Sequence, residues 1–403
     1  MFTTNELFLI VLLVILGVPY FVWRVFRTDT YAPLVVVQII SGIVLGPGIL
    51  GSAIPDAYEN VFTQDVMRML SGVAMWAVIL FVFTAGVEID VGKAMEQKKD
   101  TVVTAFFALV SPLALGSLFA LFLWNDPDWH GPKASEWQFL LGTGMASAVT
   151  ALPILVLILD KAGMLKQEIG VRCLRYASFD DVLIWTVMAI ILLQWEKVVK
   201  QSIFLIVYVG LAFLFKKYSH LIQQRDRLPI ALMWVAACSI ASDWSGLHYM
   251  VGGFLAGLIV TESWLGRTTV NDLRYYVLTL LMPVFFLSTG LRTDWSIGGV
   301  TVLVVAVGLF AVQAAAKLLG VVAAGRILGW AKSEAVTVGW LLQTKALIEI
   351  IFCTILLDKQ IITGQMFTAM LIMAIISTSV TTPIIRRRIR KNSTAQMPGL
   401  VTE

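Results

Sequence analysis

The sequence predicts an all-α integral membrane protein of about thirteen transmembrane helices. Three observations carry that prediction. The 403 residues are 58% hydrophobic and only 14% charged, where an ordinary soluble protein carries roughly 25% charge. So few charges leave too little polar surface to cover a soluble fold of this length, and the mean hydropathy of +0.85 agrees. Apolar runs recur along the whole chain, and Lys and Arg alternate between the connections that join them.

A spanning helix needs about 20 mostly apolar residues. Such runs fall at 6–24, 33–51, 68–88, 101–124, 137–159, 169–194, 201–216, 228–243, 247–262, 273–291, 297–325, 333–357 and 364–385. The connections are short, with no Pro/Ser-rich linker or low-complexity tract, so the chain reads as one transmembrane domain over 1–391 with a short tail at 392–403. Of the 30 Lys and Arg, 21 lie in or at the edges of the connections after odd-numbered spans and in the segment after span 13, and four lie within spans: Arg68, Arg175, Lys317 and Lys345. The connections after even-numbered spans hold five: Lys133, Lys197, Lys200, Arg292 and Lys359. Basic residues mark the cytoplasmic face, which puts the N-terminus outside and the C-terminus in the cytoplasm. The first span follows Asn5 and Glu6 and precedes Arg27, the reverse of a secretory signal peptide.

Other function classes lose ground on composition. The net charge of +4 is small, and no basic patch interleaved with aromatics suggests nucleic acid. Cys173, Cys238 and Cys353 lie inside apolar spans, and His130, His220 and His248 are scattered, so no cofactor, zinc or haem site is expected.

A weak internal duplication runs through the spans. Ser41 to Gly51, closing span 2, resembles Ala256 to Gly266, closing span 9: Gly42 matches Gly257 and Gly51 matches Gly266, both at an offset of 215. Phe81 to Asp90, closing span 3, resembles Phe285 to Asp294, closing span 10: Gly86 matches Gly290 and Asp90 matches Asp294, both at an offset of 204. The two halves, spans 2–6 and 9–13, begin an odd number of spans apart and so cross in opposite directions. Inverted repeats of this kind are a hallmark of secondary transporters, whose substrate sites lie near the bilayer midplane.

An ionisable group at that depth costs roughly 2.5–3.5 kcal/mol on insertion scales and so needs a partner or a function. Span 6 carries Asp180 and Asp181 about halfway along; span 11 carries Lys317 at a similar depth. Adjacent helical residues point about 100° apart, so one carboxylate can pair with Lys317 while the other faces a water-filled cavity. A carboxylate in that position holds a proton or a small cation, but not both well, and this competition is what cation/proton exchange requires. Arg175, one and a half turns before Asp181, snorkels or pairs with an acid such as Glu88.

Spans 5 and 12 read as interrupted. Span 5 contains Ser147 to Pro153, where Pro153 removes a backbone donor and disfavours helix at Leu152. Span 12 contains Gln343-Thr-Lys-Ala-Leu-Ile-Glu349, polar residues inside an apolar run. These are the fourth spans of the two repeats, and paired broken helices are how transporters turn half-helix ends and freed carbonyls toward an ion. Lys345 and Glu349 are spaced to pair with each other; Lys345 equally suits a half-helix C-terminal end.

Together these stretches resemble the monovalent cation:proton antiporter superfamily, the sodium/proton exchanger fold, over nearly the whole chain. The ordered set carries the resemblance: the Gly-Pro end of span 2, Ser147 to Pro153, Asp180-Asp181 followed by Trp185, Pro283 to Gly290, Lys317, and Thr344 to Glu349. The Thr-Ala-Leu-Pro and Thr-Lys-Ala-Leu-Ile-Glu runs look most like the branch of the plant cation/proton exchangers and their bacterial relatives. The resemblance implies a homodimer in a bacterial inner membrane, each protomer with a dimerisation panel and a six-helix core. It implies that spans 5 and 12 cross as discontinuous helices and that Asp181 carries the cation and the proton. Asp180 would pair with Lys317, and Thr150 would lend an oxygen to the cation. An Asp-Asp pair with a lysine implies electrogenic exchange by an elevator-like movement. Some relatives carry a C-terminal nucleotide-binding domain; this sequence stops soon after Lys391.

Three rivals fit less well. A channel needs a filter-like run, and none is evident. An intramembrane aspartyl protease needs its two Asp residues on facing helices, whereas these are adjacent. A sodium-coupled symporter of an organic anion shares the architecture but has less need of Asp-Asp with Lys.

Overall fold

The computed structural model describes residues 2–26, 34–88, 98–161, 164, 167–193, 198–291, 299–345 and 347–395. Among these the chain is helical throughout, apart from turns and one isolated antiparallel bridge between His130 and Ile362. In order the helices are α1 (Thr4–Val25), α2 (Leu34–Val44, continued by a π-helical turn at Pro47–Gly51), α3 (Pro55–Val61), α4 (Gln64–Glu88), α5 (Lys98–Trp124), α6 (Glu136–Ala148), α7 (Leu152–Lys161), α8 (Glu168–Ile191) and α9 (Val198–Tyr218). There follow α10 (Arg227–Trp244), α11 (Tyr249–Ile259), α12 (Glu262–Leu265), α13 (Arg267–Tyr276), a π-helical segment at Val277–Leu281, α14 (Met282–Leu291), α15 (Gly299–Leu328), α16 (Lys332–Leu341), α17 (Leu347–Asp358) and α18 (Gly364–Ala395). α18 thus continues through residues 392–395, into the segment expected as a tail; the residues beyond it lie outside the described ones.

Eight helical stretches among the described residues are long and apolar enough to cross a membrane, so this is a multi-pass membrane protein. Other expected spans miss that measure for visible reasons. α8 carries Glu168, Arg172, Arg175, Asp180 and Asp181, α11 is short, and spans 5 and 12 are each split into two half-helices. Asp90 and Asp294, matched in the internal duplication, lie outside the described residues, as do the side chains of Glu88, Pro153 and Asp181.

The chain divides into two compact units. The first comprises Met1–Val18, Ser41–Asp90 and Trp185–Leu291. Its helices meet through glycine. A Cβ on Gly290 of α14 would strike the backbone of Gly42 of α2, and a Cβ on Gly86 of α4 would strike the backbone of Phe254 and Gly257 of α11. Helices that must approach this closely in lipid rely on small residues, because apolar side chains gain nothing by leaving hydrocarbon. The ring of Trp185 stacks on Phe254 at 4.9 Å, and the Tyr208 hydroxyl donates to the Leu255 carbonyl at 2.7 Å. α9 exposes an almost unbroken apolar face, with Val199, Ile206 and Phe213 each about 70% exposed.

The second unit comprises Pro19–Ile40, Val91–Ile184 and Arg292–Glu403. α5 and α15 pack along each other and against α6, α16 and α18. Arg172 of α8 bridges Glu168 at 2.5 Å and Glu334 of α16 at 2.9 Å. The Tyr176 hydroxyl donates to Asp100 at the start of α5 at 2.7 Å. Both interrupted helices belong to this unit.

Candidate ion-binding site

The first interruption follows from local chemistry. α6 starts at a reciprocal capping box between Ser135 and Gln138 and ends at Ala148. Pro153 has no N–H to return to the carbonyl of Val149, four residues back, and the end of α6 leaves the carbonyls of Ala146 to Ala148 short of intrahelical donors. Two ammonium groups supply them. Lys345 Nζ donates to the carbonyls of Ala146, Ser147 and Val149 at 3.1, 2.9 and 3.2 Å. Lys317 Nζ donates to the carbonyls of Ala148 and Val149 at 2.5 and 3.4 Å and to the Thr150 hydroxyl at 2.7 Å. Both cations sit where the helix dipole is negative, an arrangement that stabilises each of them.

The second interruption lies against the first. α16 ends at Leu341, and the carbonyl of Leu342 accepts from Lys317 Nζ at 3.1 Å and from the Thr150 hydroxyl at 3.1 Å. The backbone N–H of Ala151 donates to the Thr344 carbonyl at 2.7 Å. The break in one helix is therefore closed largely by the break in the other.

Asp180 is 1% exposed on α8, and neither of its carboxylate oxygens has a hydrogen-bond partner. The charges of Lys317 and Lys345 both act on it. The expected direct pairing of Asp180 with Lys317 needs correction. The hydrogen bonds of Lys317 are made to helix-end carbonyls and Thr150, so the two groups are coupled through space rather than bonded. Asp181 occupies the next position of α8, with its side chain outside the described ones. Arg175 lies half-buried earlier on the same helix.

The remaining expected residues are accounted for. Lys345 Nζ holds carbonyls at the C-terminal end of α6 and stands 3.7 Å from Glu349. The Ser147 hydroxyl turns back to the Thr143 carbonyl at 2.9 Å, so its contribution to the interruption is its carbonyl. Thr150 spends its hydroxyl on Lys317 and Leu342.

Reading for charge alone passes over the neutral residues that brace the second break. The Gln313 amide donates to the Ser377 hydroxyl at 3.3 Å, that hydroxyl donates to the Gln343 carbonyl at 2.9 Å, and the Gln343 amide donates to the Ala314 carbonyl at 3.0 Å. The available signal is that Gln313 lies one turn before Lys317, on the same face of α15.

The family model described as sodium/hydrogen exchanger, transmembrane, matches residues 8–389. The chain belongs to the sodium/hydrogen exchanger family. Within that family it is 30% identical to the Na(+)/H(+) antiporter NhaS4 of Synechocystis over 414 aligned positions, covering 95% of this chain and 97% of that protein. It is 28% identical to Cation/H(+) antiporter 15 of Arabidopsis thaliana, covering 88% of this chain but only 44% of that longer protein. In fold it is similar to the sodium proton antiporter MjNhaP1 from Methanocaldococcus jannaschii, with a TM-score of 0.63 at 14% identity, covering 96% of this chain and 99% of that one.

Proposed function

We propose that this exchanger-family chain is a secondary active antiporter, not an enzyme, that moves a monovalent cation, Na⁺ or K⁺, against protons. One observation carries the reading: two interrupted helices close on each other, lysine ammonium groups hold their exposed carbonyls, and the unpartnered buried carboxylate of Asp180 lies within the influence of both cations. A bare carboxylate in hydrocarbon is costly. Binding either a proton or a monovalent cation at the Asp180–Asp181 pair relieves that cost, and the two ligands exclude each other. Asp181 is the carrier in this reading, Asp180 sets the field around it, and a Thr150 oxygen assists the cation.

The helical segments along the chain fit thirteen crossings in two inverted repeats. The glycine contacts support the repeats. The duplication equates Gly42 with Gly257 and Gly290 with Gly86, so it maps the Gly42–Gly290 approach onto the Gly257–Gly86 approach. The second compact unit contains the expected spans 4, 5 and 11–13 and span 6 as far as Ile184, which fits a six-helix core that moves as a body in elevator-like alternating access. The Lys and Arg distribution supports an outside N-terminus in a bacterial inner membrane, and the family resemblance supports a homodimer. Two acidic residues with a lysine support electrogenic exchange.

The test is exchange in proteoliposomes containing a pH dye, with Na⁺, K⁺ or Li⁺ added in turn to the native chain and to Asp181→Asn. Cation-dependent proton movement that the substitution abolishes supports antiport and names the ion. Because protons compete with the cation, the apparent KM must rise as pH falls. No proton movement with any cation, in protein verified as folded, overturns the reading in favour of a sodium-coupled symporter.

A further inference from the structure

Glu349 is a buried acid for which cation exchange at Asp180 and Asp181 has no use. It lies in the first turn of α17, is 1% exposed, and neither carboxylate oxygen has a hydrogen-bond partner. Its nearest cation, Lys345, stands at 3.7 Å, beyond hydrogen-bond reach. The reason is visible at the other end of that contact. An ammonium has three hydrogens to donate, and Lys345 directs them to three carbonyls of the first interruption. Lys345 therefore offers Glu349 its charge but no hydrogen.

We propose that Glu349 is a second proton-binding carboxylate of the transporter, coupled to the ion site through Lys345. This rests on the exchange reading above and deepens it. On this proposal a neutral, protonated Glu349 leaves Lys345 free to hold the carbonyls of Ala146, Ser147 and Val149, as it does here. When the proton leaves to water, the ionised carboxylate is a stronger acceptor than a peptide carbonyl and draws the ammonium toward it. At least one of these three carbonyls is then released and becomes an oxygen ligand for an incoming cation. Proton loss at Glu349 and cation binding thereby favour each other. With one proton on Asp181 and one on Glu349, two protons exchange for one monovalent cation and one net charge crosses per cycle, so the second proton of the electrogenic exchange resides on Glu349 and not on Asp180 or Lys317.

The surroundings leave few competitors for this role. Lys345 and Lys317 are the charged groups that act on Glu349, and Cys353, one turn further along α17, is the titratable neighbour that feels it. α6 and α18, which pack on α17, carry no charged residue between Trp137 and Ala148 or between Gly364 and Ile385. Asp180 shares the influence of both lysines.

The experiment compares the native chain with Glu349→Gln and Glu349→Asp in proteoliposomes, with Na⁺ and K⁺ supplied in turn. It measures apparent KM against pH, and the current at a clamped potential. Two protons competing with one cation raise KM about a hundredfold per unit fall in pH in the acidic limit, whereas one proton raises it about tenfold. Glu349→Gln is expected to retain exchange with the tenfold slope and to carry no net charge. Glu349→Asp is expected to keep the hundredfold slope with its midpoint displaced, and it decides the matter if Glu349→Gln does not fold. A native slope and current in Glu349→Gln, or an undisplaced midpoint in Glu349→Asp, overturns the proposal. If the native chain itself moves no protons, it is the exchange reading that fails instead.

Discussion

The first unit buries neutral groups and the second buries charge. In the first, the described buried polar side chains are hydroxyls such as Ser242 and Thr289, the amide of Gln201, and His248 at the start of α11, while glycine faces glycine across helices. In the second, Asp180, Lys317, Lys345 and Glu349 are each at most 1% exposed. Close backbone packing costs little in lipid and gives a stiff body. Buried charge is costly and is retained where a group must change its ligand. The difference teaches that rigidity and chemistry are assigned to separate stretches of one chain, and substitutions in the two should fail in different ways.

The largest expected effect is at the carrier. Asp181→Asn should reduce cation-dependent proton flux about a hundredfold or more, the scale of losing an essential proton-transfer group, with thermal stability in detergent near native. Next is Lys345→Met, which strips three carbonyls and Glu349 of their cation. Breaking a buried ionic group on one side costs about 3–5 kcal/mol, so both the melting temperature and the flux should fall. Gly86→Ala should cost about 1–3 kcal/mol from overpacking against Gly257, yet leave the pH dependence of apparent KM as in the native protein. A changed pH dependence there would break the division between the units. The smallest effect is Ser377→Ala, about 1 kcal/mol for the hydrogen bond to the Gln343 carbonyl, read as a modest shift in melting temperature.

The eight long apolar helices were legible in the sequence because hydrocarbon imposes one criterion on such a crossing. The interruptions were legible too, since Pro153 and the polar run from Gln343 to Glu349 break local rules. The partner of Lys317 was not. Charge counting matches an ammonium to Asp180, but the actual partners are carbonyls of Ala148, Val149 and Leu342. Every residue carries a carbonyl, so a sequence does not advertise which ones a helix end leaves unpaired. For the same reason Ser377 and Gln313, ordinary neutral residues of apolar helices, stand out only once the second break lies beside them.

The lysine caps also constrain the order in which the molecule is made. Lys317 reaches the carbonyl of Ala148 across 169 residues of sequence, and Lys345 reaches that of Ala146 across 199. During synthesis the end of α6 enters the bilayer long before either lysine leaves the ribosome. Its carbonyls must wait on water or on temporary partners, because hydrocarbon offers none. The finished site is thus a late event in biogenesis, completed only when the last third of the chain folds back onto α6.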